Sequence, residues 1–566
     1  MNHRGRGNNR TNASSGGLRP LLLILLFLAW ILPGLVGHDP WKPDEAYSFG
    51  LVNHILKSGD WVVPTLAGEP FMEKPPLYYI TAATCARLFS PPLPLHDAAR
   101  LTSGLFMALT LLFAGLTGRE LYGRGRGFLT ALILIGCLGI LTHAHELITD
   151  VALLTGFSVA FYGLALCLRR PLWGGLLLGT GTGIGFLSKG LIAPGMIGVT
   201  ALLLPLMFRP WRSRNYGWTL AAALLAALPW LTIWPYALYQ RSPELFAEWL
   251  WTNNLGRFLG FAHLGPKGGP GAYLEILPWF TWPALPLALW TLWRDKRAGL
   301  ARPEIQLPLT AFLAMVVILS IASDGREVYA LPLLLPLSQL AAAGVATLRR
   351  GAAGALYWFG VMGFTFFAGV FWFYWVAVEF GVPAGLAEHL KDLQPGYTPS
   401  FNAWVFGLGL LYTLGWAVTI VRLKRSPERP IIVWAAGMTL VWGLLAILFV
   451  SWVDAGKSYR SMVASLRHAL PAHYNCMASR NLGEPQRAML EYYANIITRR
   501  EEVVGKTQCN LLLIQGWSGD NIPGPGPEWR QIWEGSRPGD KNERYRLFQR
   551  IAPGYGGAMR QRPVPR

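Results

Sequence analysis

The chain has 566 residues, of which 52% are hydrophobic and only 14% are charged, and its mean hydropathy is +0.32. These values exclude a soluble globular protein and indicate a polytopic membrane protein. The formal net charge of +19 would suit a nucleic-acid ligand, but most lysines and arginines stand in short clusters between apolar runs, as membrane topology signals do, so no nucleic-acid partner is expected.

The N-terminal residues 1–19 are rich in Gly, Asn, Arg and Ser. Such a segment is too polar to bury a core, which predicts a disordered cytoplasmic tail. The apolar run from Leu21 to Gly37 follows this basic tail, an arrangement that a cleaved signal peptide would share. A retained membrane span is favoured, because no small-x-small cleavage site precedes His38 and cleavage would detach the next segment from its anchor.

Further apolar runs follow along the chain, and about 20 apolar residues are needed for each crossing. The runs that meet this requirement predict thirteen spans, near 20–37, 98–118, 127–142, 149–168, 173–188, 191–208, 217–238, 272–293, 307–323, 329–348, 355–379, 402–421 and 432–452. The run 77–89 has a helical pattern but is too short for a full crossing. With this run excluded, seven basic clusters fall on one side, which the positive-inside rule identifies as cytoplasmic.

This topology predicts a transmembrane domain over 20–453 with a periplasmic loop at 38–76. It also predicts that the region 454–566, where charged and polar residues replace the apolar runs, is a soluble periplasmic domain. Helical spacing at 459–470 and 484–497 and short apolar strands further on indicate a small α/β fold. Cys476 and Cys509 both lie in this region, and an oxidising periplasm would allow them to form a disulfide.

The loop 38–76 carries an unusual set of charged residues beside the membrane, namely Asp44, Glu45, Glu73 and Lys74. Charges at the rim of a bilayer are costly to desolvate, so they are expected to handle a charged or polar substrate. Lys74 precedes two prolines that restrict it to an extended conformation. The alternative for Lys74 is an interfacial lysine that extends its ammonium group to water.

Other unusual polar residues near span ends map to the same face: Asp150, Lys189, Arg257, His263, Arg326 and Tyr329. Carboxylates among cations suit transfer from a phosphate-linked donor, because cations neutralise the phosphate leaving group while a carboxylate accepts the proton of the acceptor. Asp150 could instead cap a helix. His263 is interpreted as a loop histidine. The alternative is a metal ligand with Glu73 as its partner, which would make a divalent cation a cofactor.

Several short motifs resemble one known family. They are Asp44-Glu45-Ala46, Ser58-Gly59-Asp60-Trp61-Val62-Val63-Pro64, Glu73-Lys74-Pro75-Pro76-Leu77, Thr149-Asp150, Ser188-Lys189-Gly190, Arg257-Phe258, Tyr329-Ala330-Leu331-Pro332 and Asn481-Leu482-Gly483. Together they resemble the bacterial lipid A aminoarabinose transferases (ArnT-like), within the protein O-mannosyltransferase-type GT-C glycosyltransferases. The family commonly has Arg then Tyr after Asp-Glu-Ala, whereas Tyr47 and Ser48 follow here, which removes one potential phosphate contact.

The resemblance implies a bacterial inner-membrane GT-C enzyme with about 13 transmembrane helices and a polyprenyl-phosphate-sugar donor. An inverting transfer of 4-amino-4-deoxy-L-arabinose, or a related pentose or hexose, to lipid A or another envelope acceptor is expected. Carried over to this chain, the resemblance implies that Asp44 is the catalytic base and that Asp150 is a second catalytic acidic group. It implies that the lipid phosphate is bound by Lys74, Lys189, Arg257 and Tyr329. It also implies that Glu73 and Glu45 bind substrate in the cavity.

Two other functions stay open at this stage. A protein O-mannosyltransferase-like enzyme would share the same donor chemistry, and the sequence names neither the sugar nor the acceptor. A lipid or sugar transporter would also need many spans and buried charges. Transporter sites usually lie near the bilayer midplane on broken helices, whereas these charges gather at one membrane face, which favours the transferase.

Overall fold

The computed structural model describes residues 18–262, 269, 271–322, 325–517, 519, 524–540 and 542–551. The chain is mostly helical, and a five-stranded sheet lies near its C-terminus. This confirms the predicted class of a polytopic helical membrane protein with a small C-terminal α/β region.

The helices of the membrane region run from α1 to α19. Their bounds are α1 Leu18–Ile31, α2 Asp44–Ser58, α3 Leu77–Phe89, α4 Leu95–Tyr122, α5 Arg126–Ile135, α6 Thr149–Leu166, α7 Pro171–Lys189, α8 Ile192–Met207, α9 Arg214–Arg241, α10 Pro243–Ala247, α11 Arg257–Leu259, α12 Ala272–Phe280, α13 Ala284–Leu300, α14 Pro303–Ile321, α15 Leu334–Gly344, α16 Arg350–Phe380, α17 Ala384–Leu393, α18 Ala403–Arg422 and α19 Arg429–Leu448. Short 3-10 helices occur at Leu138–Ile140, Arg209–Trp211, Glu327–Leu333 and Val345–Thr347, and a π-helix at Glu248–Gly256.

Eight helical stretches in the described part of the chain are long and apolar enough to cross a membrane. They are α4, α6, α9, α14, α16, α18, α19 and the stretch Glu327–Thr347, which contains α15. The remaining predicted spans coincide with α1, α5, α7, α8 and the pair α12 and α13. The protein therefore passes the membrane several times, and the count of thirteen stays a prediction.

The prediction of one continuous helix over 272–293 was wrong. The chain breaks between α12 and α13 at Thr281, Trp282 and Pro283. Proline has no N–H to continue the helical hydrogen bonds, and it disfavours helical geometry in the residue before it. The hydrophobicity of the run continues through this break, so hydropathy alone does not locate it.

The segment 38–76 is not simply a loop. It contains α2, most of whose residues are buried, and a two-stranded hairpin formed by β1 (Thr65–Leu66) and β2 (Glu69–Pro70). Helix α2 ends because Gly59 adopts a left-handed conformation with φ 72°, and its N–H bonds to the Ile55 carbonyl oxygen at 2.9 Å. The charged residues of this segment therefore lie on a packed scaffold.

The described part of the C-terminal region contains four helices and a mixed sheet. They are α20 Val450–Lys457, α21 Arg460–Ala469, α22 Glu484–Ala494 and α23 Glu501–Val504, with strands β3 Met477–Arg480, β4 Arg499–Arg500, β5 Leu511–Trp517, β6 Trp529–Gly535 and β7 Glu543–Arg550. The strand order is β4-β3-β5-β7-β6, with β4, β3 and β5 parallel and β7 antiparallel to β5 and β6. Cys476 and Cys509 form a disulfide beside β3 and β5.

This C-terminal region packs on the segment 38–76. Glu69 accepts hydrogen bonds from Arg487 at 2.9 Å and Arg500 at 3.0 Å. Asp39 accepts one from Arg460 Nε at 2.9 Å and one from Ser458 at 2.6 Å. Both contacts join the C-terminal region to the part of the chain that carries the candidate charges, and together they require the two to share one side of the membrane.

Candidate functional site

Asp44 is the first residue of α2, where the positive end of the helix dipole favours a carboxylate. Its two oxygens face the two Nη atoms of Arg326, with Nη1 to Oδ1 at 3.3 Å, and Oδ1 also accepts a hydrogen bond from Tyr47 at 2.8 Å. Burial alone would raise the pKa of Asp44, but the positive charge of Lys74 and the bonds from Arg326 outweigh burial and lower the pKa.

Lys74 is buried, with 7% of its surface exposed. Its ammonium group donates a hydrogen bond to the Tyr47 hydroxyl, so Tyr47 links Lys74 to Asp44. Burial would lower the pKa of Lys74, yet Tyr79, Asp150 and Asp44 raise it above its ordinary value. A buried lysine that stays charged is not one that extends its ammonium group to water.

Asp150 and Lys189 bring a second ion pair to the same place. Asp150 lies in the first turn of α6, and Lys189 is the last residue of the neighbouring helix α7. Their side chains pair, and the Lys189 ammonium nitrogen lies 3.9 Å from the centroid of the Tyr329 ring. Helix α7 ends here because Gly190 has φ 71°, and a Cβ atom at this position would meet the Asn254 side chain at 1.9 Å.

Arg257 completes the cationic side of the site and pairs there with Glu73. Arg257 begins α11 directly after the π-helix, and its Nη1 lies 3.3 Å from Glu73 Oε2. The structure thus brings Asp44, Glu73, Lys74, Asp150, Lys189, Arg257 and Tyr329 into one network, as the sequence predicted for these residues.

A cavity of about 150 Å³ opens beside this network. Its lining residues are Asp44, His143, Glu146, Ile148, Asp150, Arg326, Glu327 and Val328. His143 and Glu146 form an ion pair at 3.1 Å on the turn before α6. Sequence motifs did not predict His143, Glu146 and Glu327 as site residues, although His143 and Glu146 stand within seven residues of Asp150 in the sequence.

Glu45 lies apart from this cavity. It is buried and accepts hydrogen bonds from Arg100 Nε at 2.9 Å, the Leu147 N–H at 3.0 Å and the Trp41 N–H at 3.2 Å. Arg100 is fully buried and also contacts Asp97 at 2.8 Å. This geometry favours a structural role for Glu45, which ties the start of α2 to α4 and to the turn before α6, over substrate contact.

His263 lies outside the described residues, so its suggested pairing with Glu73 on a metal stays a prediction. Among the residues that the structure does describe, no group of three or more His, Cys, Asp or Glu side chains could hold a metal ion.

The arrangement separates two kinds of chemistry. Lys74, Lys189 and Arg257 are not among the residues that line the cavity, whereas four carboxylates are. Asp44 and Asp150 belong to both sides. Each lines the cavity, while Asp150 pairs with Lys189 and Asp44 is linked to Lys74 through Tyr47. A phosphate and a neutral or cationic group could therefore bind next to each other, with a carboxylate between them.

The chain has relatives among known proteins. A model of the dolichyl-phosphate-mannose-protein mannosyltransferase family matches residues 73–234. The chain is 30% identical over 440 residues to the undecaprenyl phosphate-alpha-4-amino-4-deoxy-L-arabinose arabinosyl transferase of Pseudomonas aeruginosa strain UCBPP-PA14, which covers 76% of this chain and 74% of that protein. The protein of the same name from Yersinia enterocolitica is 30% identical over 340 residues, 57% of this chain and 58% of its own.

The fold also matches a solved structure. The crystal structure of ArnT from Cupriavidus metallidurans bound to undecaprenyl phosphate gives a TM-score of 0.69 at 17% identity and covers 95% of this chain and 99% of that one. At this identity the likeness concerns the fold, and the sequence match to the transferases extends the resemblance seen in the motifs. The chain belongs to the ArnT family of undecaprenyl phosphate-aminoarabinose arabinosyl transferases, which are membrane glycosyltransferases.

Proposed function

We propose that this protein transfers a sugar from a polyprenyl-phosphate carrier to an acceptor in the bacterial envelope, with 4-amino-4-deoxy-L-arabinose as the sugar and lipid A as the acceptor. The observation that carries the proposal is the meeting of Asp44 and Asp150 with Lys74, Lys189 and Arg257 beside one cavity. The names of the curated relatives and the ligand of the Cupriavidus structure support this choice of carrier and sugar.

The carrier phosphate binds on the cationic side. Lys74, Lys189 and Arg257 each have a carboxylate or tyrosine partner, so a phosphate exchanges partners with them and does not meet bare buried charges. Tyr329 lies against Lys189 and adds a hydroxyl donor near the phosphate. Attraction between these charges is stronger in a site with little water, because screening is weaker there.

The transfer step needs one base and one leaving group. Asp44 accepts the proton of an acceptor hydroxyl as the acceptor oxygen forms its bond to the anomeric carbon of the sugar. The bond between that carbon and the phosphate oxygen breaks, and its electron pair stays on the phosphate, which leaves as polyprenyl phosphate. Attack on the face opposite the phosphate inverts the anomeric configuration.

The membrane helices and the charge pattern support a proposal for the localisation. The protein is a multi-pass membrane protein, and we place it in the bacterial inner membrane with a cytoplasmic N-terminus. The site and the C-terminal region 454–566 then lie on the periplasmic side, where envelope acceptors are found.

A divalent cation is an open part of the proposal. The carboxylates that could ligate it, Asp44 and Asp150, already pair with Arg326 and Lys189. Transfer by purified protein with and without EDTA, followed by added Mg²⁺, Mn²⁺ or Zn²⁺, tests the requirement.

The test of the function is transfer of labelled sugar by purified, reconstituted protein. Polyprenyl-phosphate aminoarabinose with lipid A is the expected donor and acceptor pair. A mannose donor with envelope proteins tests the second candidate, a protein O-mannosyltransferase-like activity, which the match over residues 73–234 supports. Mass spectrometry of envelope lipids from cells with and without the protein identifies the product. No transfer from any polyprenyl-phosphate sugar would contradict the proposal.

A further inference from the structure

We propose that Glu146 and Glu327, with His143 as a positioning residue, select a donor sugar that carries a protonated amino group. This inference rests on the proposed function and assigns the selection to residues of the cavity beside Asp44. The juxtaposition that supports it is a ring-sized cavity that has four carboxylates in its wall and adjoins the cations proposed to bind the phosphate.

The size of the cavity points to a single ring. A cavity of about 150 Å³ is known to admit a six-membered ring such as benzene, and the volume here is about 150 Å³. One monosaccharide ring has similar dimensions, whereas a polyprenyl chain or an acceptor with several sugars does not. The cavity adjoins Asp44, so a ring bound there lies next to the base.

The charges of the cavity wall favour a cationic group over the phosphate. Asp44, Glu146, Asp150 and Glu327 line it, and the lining cations are Arg326 and His143. Arg326 pairs with Asp44, and Asp150 pairs with Lys189 from outside the cavity. Two carboxylates, Glu146 and Glu327, then face the single imidazole of His143, so an added cation is favoured and an added anion is not.

The Glu327 carboxylate is available to accept hydrogen bonds from a ligand. Within the described part of the chain it has no hydrogen bond and no ion pair, and it begins the 3-10 helix that leads to Tyr329. It is exposed to the cavity mouth, and its negative charge acts on His143. An ammonium group on the sugar gives Glu327 and Glu146 a shared partner.

The turn that carries Glu146 is held rigidly. The Glu146 carbonyl oxygen accepts a hydrogen bond from Ser103 at 2.7 Å, and the next residue, Leu147, donates its N–H to the buried Glu45 at 3.0 Å. His143 fixes the Glu146 carboxylate by the contact at 3.1 Å. A carboxylate positioned in this way before the ligand arrives loses little side-chain entropy on binding.

The experiment compares two donors in each variant: polyprenyl-phosphate aminoarabinose, and the same donor with its amine formylated, which removes the charge. The variants are Glu146→Gln and Glu327→Gln, and Glu388→Gln, an exposed glutamate on α17 away from the cavity, is the matched control. Wild type and control should prefer the free amine. Each cavity variant should reduce that preference in kcat/KM by about 10-fold or more, because a hydrogen bond to a charged group is lost.

The variant His143→Gln tests the positioning role. It should weaken the preference for the free amine in kcat/KM less than Glu146→Gln does, because the Glu146 carboxylate remains and only its contact with His143 is lost. An unchanged preference in both glutamine variants, or an equal loss with both donors, overturns the inference. Failure of the wild type to transfer from either donor would instead contradict the proposed function, so the two failures are distinguishable.

Discussion

Lys74 and Arg326 favour the ionised form of Asp44, which has a consequence for the pH dependence of transfer. Burial acts to raise the pKa of Asp44, but Lys74 and Arg326 lower it below the ordinary value. A base with a lowered pKa stays deprotonated further into the acid range. The acid limb of kcat/KM for wild type should therefore lie below the ordinary range of an aspartate.

The variant Arg326→Gln removes one of the two cations and should move that acid limb to higher pH by about one unit or more. A pH profile of kcat/KM for both proteins is the measurement. Because the acid limb reports the free enzyme, it does not depend on how tightly the donor is bound. If the acid limb of Arg326→Gln stayed at the same pH as that of wild type, the group that titrates in this limb would not be Asp44.

Asp44→Asn should reduce transfer by about 10²–10⁴-fold while folding and membrane insertion stay intact, because a neutral amide cannot accept the acceptor proton. Initial rates with purified protein are the measurement. Asp392→Asn, at an exposed site on α17, is the control and should transfer normally. Activity of Asp44→Asn within a few-fold of wild type would remove Asp44 from the role of base.

Lys74 and Lys189 are expected to act on the carrier phosphate by charge. Alanine at either position should weaken both donor binding and turnover, and arginine should restore them only partly, since its planar fork differs from a point charge. Direct binding of polyprenyl phosphate to the variants measures the first effect. If both alanine variants bound the carrier and transferred sugar as well as wild type, the phosphate site would lie elsewhere.

Residue types and motifs predicted most members of the network but not their pairing. Asp44 and Glu45 are adjacent in sequence, yet one faces the cavity with Arg326 and the other is buried against Arg100. Successive residues of a helix point about 100° apart, so two charges at its start cannot share one environment. Only the partners from distant parts of the chain show which of the two faces the cavity.

At the scale of elements, hydropathy predicted the long spans well and failed where helices are interrupted or short. Helix α2 was missed because it carries polar residues such as Ser48 and Asn53 in buried positions. It packs against α3 and against α22 of the C-terminal region, where Gly50 allows close approach to Ala488. A helix that is covered by distant parts of the chain gives neither a span nor a clean amphipathic pattern.

The buried pair of Glu45 and Arg100 joins α2 to α4. Glu45→Ala would leave Arg100 buried without its partner, which typically costs about 3–5 kcal/mol. The thermal midpoint of the detergent-solubilised protein should therefore fall clearly. The double variant Glu45→Ala with Arg100→Met should recover part of the loss, because it also removes the unpaired charge.

The control for this pair is Arg241→Met. Arg241 is exposed and lies 3.6 Å from the partly exposed Asp60, and such surface pairs contribute about 1 kcal/mol or less. The thermal midpoint of this variant should stay near that of wild type. A Glu45→Ala protein as stable as Arg241→Met would show that the buried pair is not a structural tie.

At the scale of the whole molecule, the C-terminal region and the candidate site depend on each other. Segment 38–76 is fixed to this region by Glu69 and Asp39, and it carries Asp44 and Lys74. The sequence predicted a small α/β domain from its strands and helices, but the ion pairs that dock it join residues several hundred positions apart. No local pattern reports such contacts.

The shared side of these two regions leads to a prediction about topology. The positive-inside rule predicts that the loops with the basic clusters, opposite the site, are cytoplasmic, so residues 454–566 and 38–76 should both be periplasmic. The disulfide between Cys476 and Cys509 agrees with this, since disulfides persist in the oxidising periplasm and are rare in the cytoplasm. Reporter fusions after residue 551 and within the loop at 169–170 are the measurement. The C-terminal fusion should report the periplasm and the loop fusion the cytoplasm, whereas a cytoplasmic C-terminus would overturn both the count of thirteen spans and the placement of the site.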